Sequence, residues 1–113
     1  MIPVPVRWWI AVAPIDMRKG IDGLASTVLE TFGHNAFDGS AYLFRNRSGN
    51  RLKILMADSQ GFWLCQRRLY RGGFTWPHVK GTLFELSAAQ FAWLVKGIDW
   101  TRLSEDSTMR KLL

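Results

Sequence analysis

The clearest periodicity in the chain runs from Ile21 to Phe32. Ile21, Leu24, Ala25, Val28, Leu29 and Phe32 recur three and four residues apart and so share one face of a helix. Asp16 is placed to cap its start, and Gly33 to close its end in a left-handed conformation. Gly20 and Gly23 each cost this helix about 1 kcal/mol relative to Ala, and glycines kept there point to another backbone passing close by. A second helix is predicted after Ser87-Ala88-Ala89-Gln90, which fits a capping box. Phe91, Leu94 and Val95 form its apolar face, and Gly97 ends it.

The strand signals lie between and around these helices. Arg7 to Val12 is rich in Trp, Ile and Val and stops before Pro14. Tyr42 to Asn46 and Arg51 to Ala57 read as a hairpin around the three-residue loop Arg47-Ser48-Gly49, with Gly49 left-handed. That register sets Tyr42 and Phe44 opposite Ile54 and Leu52 on one face. The other face then carries Arg45 opposite Arg51, and Lys53 opposite Leu43. Like charges directly opposite are mildly destabilising, unless both point into water or an anion lies between them. Phe62 to Arg71 fits two patterns. The preferred one is a helix capped by Ser59 and ended by Gly72 and Gly73, with Arg67, Arg68 and Arg71 in its last turns, where cations suit the helix dipole. The competing one is a strand, since Phe62-Trp63-Leu64-Cys65 is a short apolar run. Phe74 to Trp76 and Thr82 to Leu86 read as two further strands, joined by a turn near Pro77 and Gly81.

These elements predict an α+β fold: a small antiparallel or mixed sheet with two or three packed helices, in a single domain over residues 1–103, followed by a polar tail over 104–113. A length of 113 residues is enough for one core and not for two. The six Trp and seven Phe supply large buried areas, and most of the Trp are expected in the core. The lone Cys65 makes neither an intramolecular disulfide nor a cysteine zinc cluster, and it reads as a small buried hydrophobe. The start, Met1-Ile2-Pro3-Val4-Pro5, lacks the features of a signal peptide. No apolar run approaches the ~20 residues of a membrane helix. A cytoplasmic protein that meets no membrane is expected.

Charge adds the first functional clue. The formal net charge is +6. From Gly39 to Phe84 eight basic residues face a single acid, Asp58, whereas the rest of the chain holds seven basic and eight acidic residues. The whole excess sits in the middle of the sequence, as a phosphate-binding surface requires. Arg45, Arg47, Arg51, Lys53, Arg67, Arg68 and Arg71 are the candidate nucleic-acid ligands. Such interactions are salt-dependent and carry little sequence information. The bland alternative is a basic face that only keeps the protein in solution.

Catalytic chemistry finds no comparable support. A two-metal nuclease needs convergent carboxylates, and Asp16, Asp58, Glu85 and Asp99 are the acids available for one. Asp58, at the end of an apolar strand, is best placed, but Asp16 more simply caps a helix and Asp99 lies in a turn. His34 and His78 have no second ligand at metal spacing. The serines lack a paired His and Asp, and the glycines match neither a Walker loop nor a dinucleotide fingerprint. No catalytic residue, metal or cofactor is therefore assigned.

The order of motifs carries a resemblance. Asp16-Met17-Arg18-Lys19-Gly20 and Gly23-Leu24 are similar to the opening signature of the small second-frame proteins, often called TnpB or Orf2, of the insertion-sequence-66 family of bacterial transposable elements. Phe44-Arg45-Asn46-Arg47, Lys53-Ile54-Leu55, Asp58, Gly61, Arg67-Arg68-Leu69, Gly72, Phe74, Trp76-Pro77 and Gly97-Ile98-Asp99-Trp100 follow in that family's order and approximate spacing. The resemblance spans Ile2 to about Arg102. Tyr70 stands where the family often has an acid, and Ser59 where it often has Gly, so the cluster around Arg68 is the more basic here. The resemblance implies an accessory role in transposition, beside a larger acid-triad transposase as partner; the basic middle segment adds DNA at the element ends as the expected second partner. The resemblance also marks Arg18 and Lys19 as a possible functional surface, against the plainer reading that Arg18 pairs with Asp16 or Asp22.

Overall fold

The two central strands are apolar almost without interruption, because the sheet is covered on both faces. A computed structural model describes residues 4–103, so the expected tail at 104–113 lies outside the described residues. The sheet comprises β1 (Trp8–Ala11), β2 (Ala41–Arg45), β3 (Arg51–Ala57), β4 (Phe62–Arg68) and β5 (Leu83–Leu86), in the order β4-β3-β2-β1-β5. β1 and β2 are parallel and all other neighbours antiparallel, so the sheet is mixed. From Leu52 to Ala57 every residue is buried, as two-sided covering demands. Two helices do the covering: α1 (Ile21–Glu30) and α2 (Ala88–Leu94). The α+β expectation holds, with two helices among the described residues.

α1 connects β1 to β2 and packs Leu24 and Val28 against Ala11, Tyr42, Phe44 and Leu55 on one face. It starts later than Asp16. Gly20 is its N-cap and offers no side-chain cap. Residues 16–20 instead form a turn, in which the Arg18 amide donates to Asp16 Oδ1 (2.9 Å) and the Lys19 amide to the Asp16 carbonyl (3.1 Å). Leu29, expected in the core, is 63% exposed, since a ten-residue helix on a five-residue strand presents only a narrow stripe to it. The expected close backbone at Gly20 and Gly23 is also absent: a Cβ at Gly20 would meet nothing within 4 Å, and at Gly23 only the Lys19 side chain at 3.5 Å. Nothing in the structure explains Gly20.

The other face packs Ile10, Leu43, Leu52, Ile54 and Met56 against Leu94 of α2 and against Phe74, Trp76 and Trp100. Phe74 to Trp76, a strand by its sequence, joins no sheet. β5 already occupies the free edge of β1, and 74–76 crosses the sheet's face instead. It is held there by aromatic N–H groups: Trp76 Nε1 donates to the Ala11 carbonyl (2.6 Å), and Trp100 Nε1 to the Thr75 carbonyl (2.7 Å). α2 has the predicted capping box, with Gln90 N donating to Ser87 Oγ (3.1 Å) and Ser87 N to Gln90 Oε1 (2.8 Å). The same glutamine donates to the Leu103 carbonyl (2.6 Å) and ties down the end of the described chain. A helix of seven residues depends heavily on its cap. Ser87→Ala is expected to lower stability by about 1 kcal/mol, readable as a shift of the urea midpoint at unchanged slope.

Two sequence expectations about the basic half are corrected. The hairpin closes through a four-residue loop, 47–50, because Asn46 pairs with Arg51: its amide donates to the Arg51 carbonyl (3.2 Å), and the Arg51 amide to Asn46 Oδ1 (3.0 Å). Asn46 Nδ2 also donates to Asn50 Oδ1 (2.7 Å), which holds the extra residue in the loop. Gly49 takes the left-handed backbone (φ 77°) that ends this turn. The register therefore slips by one, to Tyr42 opposite Leu55, Phe44 opposite Lys53 and Arg45 opposite Leu52. A slip of one exchanges the faces, so Arg45 points to the opposite face from Arg51 and Lys53. The second correction concerns Phe62 to Arg71, where the strand reading holds and the preferred helix does not. β4 pairs with β3 along seven positions, from Ala57 opposite Phe62 to Arg51 opposite Arg68. The long apolar β3 otherwise has an open edge, and pairing it outweighs any local helix preference. Among the described residues no helix is long and apolar enough to cross a membrane.

Candidate nucleic-acid interface

Strand direction gathers the basic residues at one end of the sheet. β2 ends at Arg45, β3 begins at Arg51 and β4 ends at Arg68, so these three termini lie side by side. Arg51 stands directly opposite Arg68, and Arg67 opposite Leu52. With Leu52 and Gln66 the three arginines line a shallow groove of about 250 Å³. Arg47 is exposed in the hairpin loop and Arg71 in the segment after β4. That segment is stitched to the loop: the Leu69 amide donates to the Asn50 carbonyl (2.9 Å) and the Phe74 amide to the Gly49 carbonyl (2.8 Å). Gly73 permits this, because a Cβ there would come 3.1 Å from the Gly49 carbonyl oxygen. Arg47, Arg51, Arg67, Arg68 and Arg71 are all exposed, and none makes an ion pair among the described residues. Asp38, just before β2, and Asp58, just after β3, flank the opposite end.

Two of the predicted ligands are elsewhere. Lys53 is 6% exposed, and its ammonium donates to the carbonyls of Met17 and Lys19, each at 2.7 Å. It anchors the turn that leads into α1 and is not available to a phosphate. Arg45 is half-buried on the other face, with its guanidinium 5.7 Å from the Trp76 ring centroid. The anchored turn carries Arg18 and Lys19. Arg18 takes the plainer of its two readings: its guanidinium donates to both Asp16 carboxylate oxygens, the shortest at 2.6 Å. Hydrogen bonds from the Arg18 side chain and amide hold the Asp16 carboxyl down at about 2. Lys19 Nζ donates to Thr27 Oγ1 (3.0 Å). Gln66 and Leu52 escape a reading of the sequence as groove residues, and only the β3–β4 register places them there.

The acids considered for catalysis do not converge. Asp58 closes the β3–β4 turn: Oδ1 accepts from the Gln60 and Gly61 amides (2.8 and 3.0 Å), and Oδ2 from Trp63 Nε1 (2.8 Å). These bonds, the Trp63 one foremost, lower its pKa below the ordinary 3.8. A carboxyl so lowered stabilises the fold above its unfolded value and stops doing so as pH falls through its folded value. The difference in melting temperature between wild type and Asp58→Asn is therefore expected to be constant above about pH 5 and to shrink below the ordinary 3.8, measured by calorimetry from about pH 7 to about 2.5. Glu85 pairs with Arg7 (3.7 Å), and Asp99 accepts from the Thr101 amide (2.9 Å). No three His, Cys, Asp or Glu residues group closely enough to hold a metal ion among the described residues. His34 is packed, edge-on to Trp9 and hydrogen-bonded to the Tyr42 hydroxyl (3.1 Å), while His78 is exposed.

Residues 6–105 match the family described as IS66 Orf2 like protein. The chain is 44% identical over 100 residues to a protein of Sinorhizobium fredii described as uncharacterized protein y4hO, a match covering 88% of this chain and 87% of that one. It is 31% identical over 105 residues to uncharacterized protein y4jC of the same organism, covering 93% and 90%. No solved structure matches it significantly. With motifs in the family's order from Asp16 to Trp100 and a match over nearly its whole length, the chain belongs to the IS66 Orf2-like family, the small transposition-associated accessory proteins of bacterial insertion elements.

Proposed function

We propose that this protein is a non-catalytic accessory factor that contacts the DNA of its insertion element through the sheet-end rim of Arg47, Arg51, Arg67, Arg68 and Arg71. The observation that carries the reading is the cross-strand pair Arg51–Arg68. Two arginines directly opposite repel each other, and both lie open to solvent beside Arg67 with no acid paired to them among the described residues. A polyanion relieves that repulsion. Phosphate interactions of this kind give affinity and orientation, and leave sequence choice to the transposase.

The transposase is the second partner in this reading. Its docking is assigned to the apolar surface on the α1 side, where Leu29 and Phe37 are 63% and 65% exposed beside a groove lined by Ala25 and Ala36. That same patch favours the alternative reading, an adaptor that assembles or regulates the transposase without touching DNA.

Fluorescence anisotropy separates the two. Labelled duplex from the element's end, and scrambled duplex of equal length, are titrated with protein across a salt series. Binding to both, with affinity falling steeply as salt rises, is the expected result. No binding at low salt overturns the DNA reading and leaves the adaptor.

A further inference from the structure

Arg45 has fewer acceptors than a guanidinium needs. It carries five N–H donors, yet Nη1 reaches only the Arg47 carbonyl at 3.4 Å and Nη2 only the Val12 carbonyl at 3.5 Å, both at the outer limit of a hydrogen bond. Nε is buried with no acceptor among the described residues, and no carboxylate pairs with the group there. The Nη groups reach the surface, whereas Nε does not. Arg45 Nε is shielded, and the guanidinium rests on Trp76, a ring 7% exposed and locked by its bond to the Ala11 carbonyl. A buried donor left without an acceptor is costly, and an anion bound beside the guanidinium would relieve that cost.

The room for that partner is present. Arg45 and Trp76 form one wall of a solvent-open cavity of about 600 Å³ that Ser48, Thr75, His78 and Thr101 also line. That volume lies within the ~300–1,000 Å³ range of small-ligand sites. No acid lines it. His78 and Thr75 add hydrogen-bonding side chains to the lining. The ligand must therefore be anionic, rich in acceptors and larger than an ion. We infer that this cavity binds the phosphate group of a nucleotide, with Arg45 as the principal ligand and the remaining space taken by the attached nucleoside. The cavity lies on the face opposite Arg51 and Arg68, a face that Arg67 shares, so it is distinct from that arginine pair and does not depend on whether the pair binds DNA. The phosphate has two possible sources, a free mononucleotide or a nucleotide at the end of a DNA strand.

The test is calorimetric titration of the full chain with a nucleoside 5′-monophosphate, the corresponding nucleoside, and a tetranucleotide with and without a 5′-phosphate. The mononucleotide is expected to bind and the nucleoside not to. Arg45→Gln should weaken the mononucleotide at least about tenfold, as removal of a charge-assisted hydrogen-bonding partner does, whereas Arg51→Gln and Arg68→Gln leave it within about twofold. A 5′-phosphate that strengthens tetranucleotide binding only while Arg45 is present identifies a strand end as the source; mononucleotide binding without that increment identifies the free nucleotide. Equal binding of nucleoside and nucleotide, or an unchanged affinity in Arg45→Gln, overturns the site. Should near-ultraviolet circular dichroism show Arg45→Gln to be unfolded, Arg45→Lys and His78→Ala serve in its place, and undiminished nucleotide affinity in both overturns it equally.

Discussion

Arg51→Glu is expected to make the protein slightly more stable and a much poorer DNA ligand. In the folded chain Arg51 stands directly opposite Arg68. Reversing one of the two charges turns a repulsive cross-strand pair into an attractive one, a gain of a few tenths of a kcal/mol for an exposed pair. For DNA the sign is opposite. Removing one arginine from the phosphates costs about tenfold in affinity near 0.1 M salt and flattens the logarithmic salt dependence by about 0.9. Arg51→Glu with Arg68→Glu should then weaken binding on the order of a hundredfold and flatten the slope by about 1.8. Arg7→Gln, at the far end of β1 where the side chain pairs with Glu85, should change little. Thermal melts and anisotropy on the same preparations read both effects. If the rim served only to keep the protein in solution, stability would rise and DNA affinity would stay where it was. Unchanged affinity in the folded double variant would therefore remove the rim from the proposed function.

Lys53→Met is expected to have the largest effect on stability of any single change to a basic residue. The sequence places Lys53 among the DNA ligands, whereas the folded chain buries it on the α1 face under the turn at 16–20. Methionine keeps most of the apolar stem and removes the ammonium. Two hydrogen bonds to a charged donor disappear, and the carbonyls of Met17 and Lys19 are left without that partner. At about 1.5–3 kcal/mol for a hydrogen bond to a charged group, with incomplete additivity, the destabilisation should be about 2–4 kcal/mol. For a domain of this size that lowers the melting temperature by roughly 10–25 °C. DNA affinity per folded molecule should be unchanged. The reverse pattern, intact stability with weakened DNA binding, would return Lys53 to the interface. Because the turn it anchors carries Asp16-Met17-Arg18-Lys19-Gly20, the variant also tests why that signature and Lys53 occur together: the ammonium binds backbone carbonyls, so it secures the turn's shape and leaves Arg18 free to pair with Asp16.

Much of the exposed basic rim was legible in the sequence because net charge along a chain survives folding. Arg47, Arg51, Arg67, Arg68 and Arg71 are exposed and converge as their one-sided run suggested. Arg45 and Lys53 belong to the same run but differ in fate, since a strand's two faces alternate and the face each residue takes depends on register. Register in turn depended on the Asn46 side chain, which bonds both Asn50 and Arg51. Sequence spacing admits loops of three and four residues alike, and only the closed loop distinguishes them.

Features that rest on interactions a few residues apart follow from the amino-acid order alone. Leu24 and Val28 on the buried stripe of α1, Gly33 and Gly97 after the helices, the Ser87–Gln90 capping box and the existence of the 41–57 hairpin all follow from local spacing and local hydrogen bonds. Long-range packing set the rest. It made Phe62–Arg68 a strand because β3 needed a partner along its open edge, and it carried Phe74 to Trp76 across a sheet face because β5 had taken the edge of β1 and two indole N–H groups found carbonyls there. It turned Lys53 from a surface cation into a structural donor because a turn thirty-odd residues away in sequence presents two carbonyls to it. Competition for sheet edges and for buried acceptors is settled among segments distant in the chain, and periodicity within any one segment cannot express it.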